Sequence, residues 1–128
     1  MNYIELLLKI KELSDFAGTL PNNFSLSLKR IMKYKGFSKD RLSEESGISR
    51  STIGRYRDDE NVKKRKENII LLCVAMRLEY VLAIDLLNKA GFTLSTSKED
   101  LLYDYLLRND DHVSISEADS ILYYFRCK

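Results

Sequence analysis

An all-α fold is predicted for this 128-residue chain by three observations. Apolar residues recur at three- and four-residue steps along most of its length, the spacing of one helix face. Serines and glycines punctuate those stretches where helices would start and stop. Strand signals are confined to residues 91–95 and 113–115, and there is one proline. A composition of 45% apolar and 31% charged residues supplies both a core and a solvated surface for a chain of single-domain length.

The first predicted helix places Tyr3, Leu6, Leu7, Ile10, Leu13 and Ala17 on one face and ends at residues 18–23, which contain Pro21. Completing the core is its default role, as for the helices after residue 91, with a homodimer face or a site for a regulatory partner as the alternatives for each. A second, about residues 26–35, turns Leu28, Ile31 and Met32 inward, with Tyr34 as a further candidate, and Gly36 closes it. Ser38 offers an N-cap oxygen to a short helix ending near Ser46. Gly47 breaks that helix, and Ser49 caps the next, which reaches about Tyr56. A polar connection leads to the run Lys63, Lys64, Arg65 and Lys66. The following helix, about residues 67–76, is apolar almost all round and is therefore the expected central helix. Another, about residues 80–89, directs Val81, Ile84 and Leu87 inward, with Leu82 and Leu86 as further candidates. Two last helices start with capping-box spacing, Ser97 with Asp100 and Ser116 with Asp119. The first carries Leu101, Leu102, Tyr105 and Leu106; the second carries Ala118, Ile121, Leu122 and Phe125.

The formal net charge of +2 conceals a polarised chain. Residues 25–66 carry thirteen positive and six negative charges, a net +7, between segments of −1 and −4. Such a block reads as a local anion-binding face, against the plainer reading of a solvated surface. The longest apolar run, residues 69–76, has eight members, and a membrane span needs roughly 20. Glu5, Lys9, Lys11 and Glu12 interrupt the leucines of the first helix, unlike a secretory leader. Two cysteines are too few for a disulfide framework, so the expected compartment is a reducing cytoplasm.

Within the basic block, residues 38–56 form two short helices joined by a glycine-containing turn, the pattern of a helix-turn-helix. Leu42, Ile48, Ile53 and Tyr56 can converge on one side, Ser43 is small where the helices would cross, and Gly47 can take the left-handed conformation that reverses the chain. The matching residues are Gly36, Phe37, Ser38 and Lys39; Arg41, Leu42 and Ser43; Gly47, Ile48 and Ser49; Ser51, Thr52 and Ile53; and Arg55. On these the chain resembles the phage-repressor, Cro-type (xenobiotic-response-element) helix-turn-helix family of transcriptional regulators.

That resemblance implies a five-helix, lambda-repressor-like DNA-binding domain over residues 25–91. It leaves an N-terminal helical extension at 1–24 and a C-terminal helical appendage at 92–128. It implies a recognition helix at residues 49–56 in the major groove of double-stranded DNA. Arg50, Ser51, Thr52 and Arg55 would read bases, the arginines through guanine O6 and N7. Ser38, Lys39, Ser49, Lys63, Lys64, Arg65 and Lys66 would hold phosphates. The family often carries Gln where this chain has Lys39, and a lysine suits phosphate better. Gly54 lies inside the recognition helix, either to allow close approach to a duplex or because it is tolerated there. A repressor-like homodimer is the implied assembly, with no cofactor.

Other chemistry is not visible. Cys73 reads as a small core residue and Cys127 as exposed near the C-terminus. His112 reads as part of a turn, without a second His to share a metal. No nucleophile–base pair or Gly-rich phosphate loop is present, so an enzyme is not expected. Tyr3, Tyr103, Tyr105, Tyr123 and Tyr124 read as packing residues. The rival reading is a protein-interaction module, antitoxin-like or an adaptor, whose acidic C-terminal helices bind a partner. A regulatory protein partner is compatible with either.

Overall fold

Asparagine and serine side chains begin most of the helices, each satisfying a backbone N–H that the helix itself cannot. The computed structural model describes residues 2–108 and 114–126, apart from the Phe125 side chain. Within them are eight α-helices and no strand: α1 (Tyr3–Gly18), α2 (Phe24–Lys35), α3 (Lys39–Ser46), α4 (Arg50–Asp58), α5 (Lys66–Ala75), α6 (Tyr80–Lys89), α7 (Lys98–Arg108) and α8 (Ile115–Arg126). Asn2, Asn23, Ser38 and Ser49 cap α1 to α4 through their side chains. Ser97 accepts from Asp100 N, and Ser114 from Glu117 N, at 3.1 Å each.

The core gathers around α5, which buries six consecutive residues from Ile69 to Val74. A helix apolar on every side is stable only when surrounded. α3, α6, α7 and α8 pack on it, and Leu42 of α3, Leu82, Leu86 and Leu87 of α6, Phe24, Leu28 and Ile31 of α2 and Ile53 of α4 belong to the same cluster, all essentially sealed from water. Tyr103, Leu106 and Leu107 of α7 and Ala118 and Leu122 of α8 join the same cluster. Burying each leucine is worth about 1.5–3 kcal/mol, so α7 and α8 complete the core rather than trailing from it.

Several expectations are corrected. The first helix does not complete the core: no residue of α1 is buried, and Tyr3, Leu6, Leu7 and Ile10 are exposed. Only near its C-terminal end do Leu13 and Phe16 reach the body, half-buried. In α6 the inward stripe is Leu82, Ala83, Leu86 and Leu87, while Val81 is exposed. Leu82, Leu86 and Leu87 thus face inward as expected and Ile84 packs half-buried at the edge; only Val81 is turned out, because apolar residues at 81–84 offer several faces and the contacts with α2 and α5 select one. In α7, Leu101 and Tyr105 point out, and Tyr103 and Leu107 take their places. The last helix starts two residues before the expected cap, at Ser114, whose hydroxyl also donates to Glu117. Asp100 forms only half of a capping box, because its carboxylate is engaged elsewhere. Residues 91–95 form no strand. The expectations for His112, Val113, Cys127 and the Phe125 side chain lie outside the described residues.

Candidate functional site

α3 and α4 are joined by three residues, Gly47, Ile48 and Ser49. Gly47 sits at φ 78°, ψ 2°, the left-handed region where a side chain is strained, and its N–H donates to Ser43 O at 3.0 Å. Ile48 is fixed at both ends: its N–H donates to Ser46 Oγ at 3.1 Å, and its carbonyl accepts from Ser43 Oγ at 2.6 Å. Ile48 is buried, together with Leu42, Ile53 and Tyr56. The small Ser43 thus serves as a tie across the turn as well as a spacer.

Because Ile53 and Tyr56 face the core, the opposite side of α4 faces solvent and carries Arg50, Ser51 and Arg55. Arg50 Nη1 lies 3.4 Å from Asp40 Oδ1, with both side chains about two-thirds exposed, at 66% and 67%. Such a surface pair is worth about 0–1 kcal/mol and exchanges readily for another acceptor. Arg55 is exposed and forms no ion pair among the described residues. Thr52 is half-buried and its hydroxyl accepts from Ser49 Oγ at 2.9 Å, so it is more tied down than the three beside it.

Lys39 lies across α4. A Cβ added at Gly54 would stand 3.5 Å from Lys39 Cδ and 3.9 Å from its Nζ, which brings this amine to the helix surface. Two residues not singled out in the sequence join the group. The Asp58 carboxyl is held below its ordinary range first by its hydrogen bond from Arg57, then by the fields of Arg57, Lys29 and Lys39, against a desolvation that pushes it up. Arg57 and Lys29 therefore extend the basic surface past the end of α4 onto α2. Their sequence signal was membership of the +7 segment, which does not distinguish one lysine from another.

The contact at Gly54 has a testable consequence. Its Cβ would make ordinary van der Waals contact, and its backbone is helical. Gly54→Ala is therefore expected to stabilise the fold by about 1 kcal/mol through helix propensity, read as a higher urea midpoint with an unchanged slope.

The basic run between α4 and α5 divides by side. Lys63 and Arg65 are exposed, Arg65 with Nη2 3.7 Å from Glu67 Oε2. Lys64 folds back, its Nζ donating to the carbonyls of Glu60 at 2.7 Å and Val62 at 3.2 Å above the Phe24 ring. Lys66 Nζ reaches both oxygens of Asp100, at 2.8 and 3.0 Å. Exposure alternates along the run, with Arg65 extended and Lys66 opening α5, so two of the four cations face outward and two are spent on the body.

This connection is anchored from all directions. Tyr56 Oη accepts from Arg65 N at 2.9 Å and Asn68 Nδ2 at 3.2 Å. Glu60 accepts from the N–H groups of Phe24 and Ser25 at the start of α2, at 3.2 and 2.8 Å. Desolvation pushes the Glu60 carboxyl up, but these bonds outweigh it and hold it below the ordinary range. At the start of α5, Arg126 Nη2 of α8 meets Glu67 Oε2 at 2.5 Å and Glu99 Oε1 at 3.5 Å. The first turn of α5 thus links α4, α7 and α8.

Among the described residues no group of three His, Cys, Asp or Glu side chains could hold a metal, and no helix is long and apolar enough to cross a membrane. Burial pushes the Cys73 thiol up to about 12, as for a core residue rather than a nucleophile. Comparison with protein-family models, curated proteins and solved structures finds no match to this chain.

Proposed function

We propose that this chain is a sequence-specific, double-stranded DNA-binding transcriptional regulator of repressor type. In this reading α2 to α6 form a lambda-repressor-like unit and α4 enters the major groove. The observation that carries it is the outer face of α4. Arg50, Ser51 and Arg55 stand exposed there on a helix whose other face is locked by Ile53 and Tyr56. Guanidinium groups on a rigid helix match guanine O6 and N7 in two hydrogen bonds each. Ser51 adds a hydroxyl that donates or accepts, and Thr52 supports Ser49 more than it reads.

Lys39, Lys63 and Arg65 are the proposed phosphate contacts, assisted by Lys29 and by the helix starts at Ser38 and Ser49. Lys64 and Lys66 shape the loop and contribute little to phosphate binding, since their amines are already engaged. Fluorescence anisotropy with a labelled duplex at several salt concentrations tests the proposal. Affinity should fall steeply with salt, and Lys63→Ala and Arg65→Ala should each flatten the logarithmic slope by about 1. No binding to any duplex at low salt would overturn it. The rival, partner capture by the acidic C-terminal helices, has less to draw on, because the inner faces of α7 and α8 are already used in the core.

A further inference from the structure

Among the described residues a left-handed backbone is held by Gly36, Gly47, Gly91 and Arg77, the last at φ 50°. Arg77 follows the end of α5. Its N–H donates to Val74 O and that of Leu78 to Cys73 O, at 3.0 Å each, the paired bonds that close a helix at a left-handed residue. Glycine takes this position without strain, whereas an arginine holds it at a conformational cost. Nothing within the chain offsets that cost, because the Arg77 side chain is exposed and forms no ion pair or side-chain hydrogen bond among the described residues. Backbone strain of this kind gathers at ligand-binding positions.

Arg77 lines a cleft of about 330 Å³ between α1, the turn from α5 to α6, and α7. The buried Val74, Leu78 and Leu107 give it an apolar floor, and the exposed Lys9, Arg77 and Arg108 stand at its rim. Arg108 is fixed in place, its Nε donating to Asp104 Oδ2 at 2.8 Å and its guanidinium 4.0 Å from the centre of the Tyr80 ring. The nearby carboxylates are already matched, Asp104 by Arg108 and Glu79 by Lys35 at 2.6 Å. Lys9, like Arg77, has no partner among the described residues, which leaves two unmatched positive charges above an apolar floor. Small-molecule sites have this make-up, about 300–1,000 Å³ of apolar surface with a few placed polar groups. The ten residues of α5, about 15 Å of helix, separate the cleft from the loop of Lys63 and Arg65, so its cations form a site apart from that loop. We propose that this cleft binds a small organic anion, a phosphate or carboxylate on an apolar body, with Arg77 and Lys9 holding the acidic group. The site goes beyond the DNA-binding reading and is measured without a duplex.

Anilinonaphthalene sulfonate, whose aromatic body and acidic group match the two halves of the site, is the probe for fluorescence titration of the full chain. Saturable enhancement is expected, with affinity lowered at least about tenfold by Arg77→Gly and lowered also by Lys9→Ala. The same Arg77→Gly chain should show a higher urea midpoint, since glycine relieves the left-handed backbone. Phenyl phosphate and benzoate should displace the dye, and inorganic phosphate, which lacks an apolar body, should do so poorly. A titration without saturable enhancement would overturn the proposal. So would dye binding that Arg77→Gly leaves unchanged, the result if the dye sits instead on the exposed apolar side of α1. Inorganic phosphate competing as well as phenyl phosphate would overturn it too, as would a urea midpoint that falls in Arg77→Gly, which would make Arg77 a support of the fold.

Discussion

Arg55→Ala is expected to lower affinity for a preferred duplex by about 5- to 150-fold, the 1–3 kcal/mol of one bidentate guanine contact. Preference at one base position should relax while affinity for unrelated duplex falls much less. Arg50→Ala should act on a different position and by somewhat less, because Arg50 must first leave Asp40. Both side chains are exposed, so neither substitution should move the unfolding free energy by more than about 0.5 kcal/mol. Anisotropy titrations against single-base variants of the duplex, with urea unfolding of the same samples, separate lost readout from lost folding.

Asp100→Ala is expected to have the largest effect on stability of any single charge removal, about 2–3 kcal/mol. A sealed ion pair broken on one side costs about 3–5 kcal/mol, and Lys66 keeps 25% of its side chain in water, which reduces that figure. The loss is compounded because Asp100 also accepts from the N–H and hydroxyl of Ser95, at 2.8 Å each. Desolvation pushes the Asp100 carboxyl up, but the Lys66 and Ser95 hydrogen bonds prevail and hold it below its ordinary value of 3.8. A depressed carboxylate stabilises the fold fully above that value and loses its contribution as the pH falls through its lower folded value. Wild type should therefore lose stability below about pH 4 more steeply than Asp100→Ala, as read from urea midpoints across that range. Equal slopes for the two proteins would contradict this assignment.

Much of the fold was legible in local signals. Ser38, Gly47 and Ser49 act within a few residues of themselves, so their caps and turn could be read directly, and α5 announced its central place by being apolar on every side. What was hidden depends on how the folded chain places each side chain, near its partners in sequence or far from them. The fates of Lys64 and Lys66 were decided by Glu60 and by Asp100, 34 residues away, and no pattern inside a run of four cations reveals that. α6 offered adjacent apolar stripes, and packing chose between them. α1 shows the limit most plainly: its periodicity announces an apolar face, but periodicity is silent on whether the rest of the chain covers it, and here it does not. In the candidate site, Arg50, Ser51 and Arg55 followed from the position of Ile53 and Tyr56 on α4, whereas Lys29 and Arg57 required the folded chain.

The central claim is that the outer face of α4 reads double-stranded DNA, and selection from a randomised duplex library with the full chain tests it most directly. The account predicts enrichment of a short motif containing guanines, with one guanine position released by Arg50→Ala and another by Arg55→Ala. A library that emerges unenriched, or a motif that both substitutions leave unchanged, would contradict it.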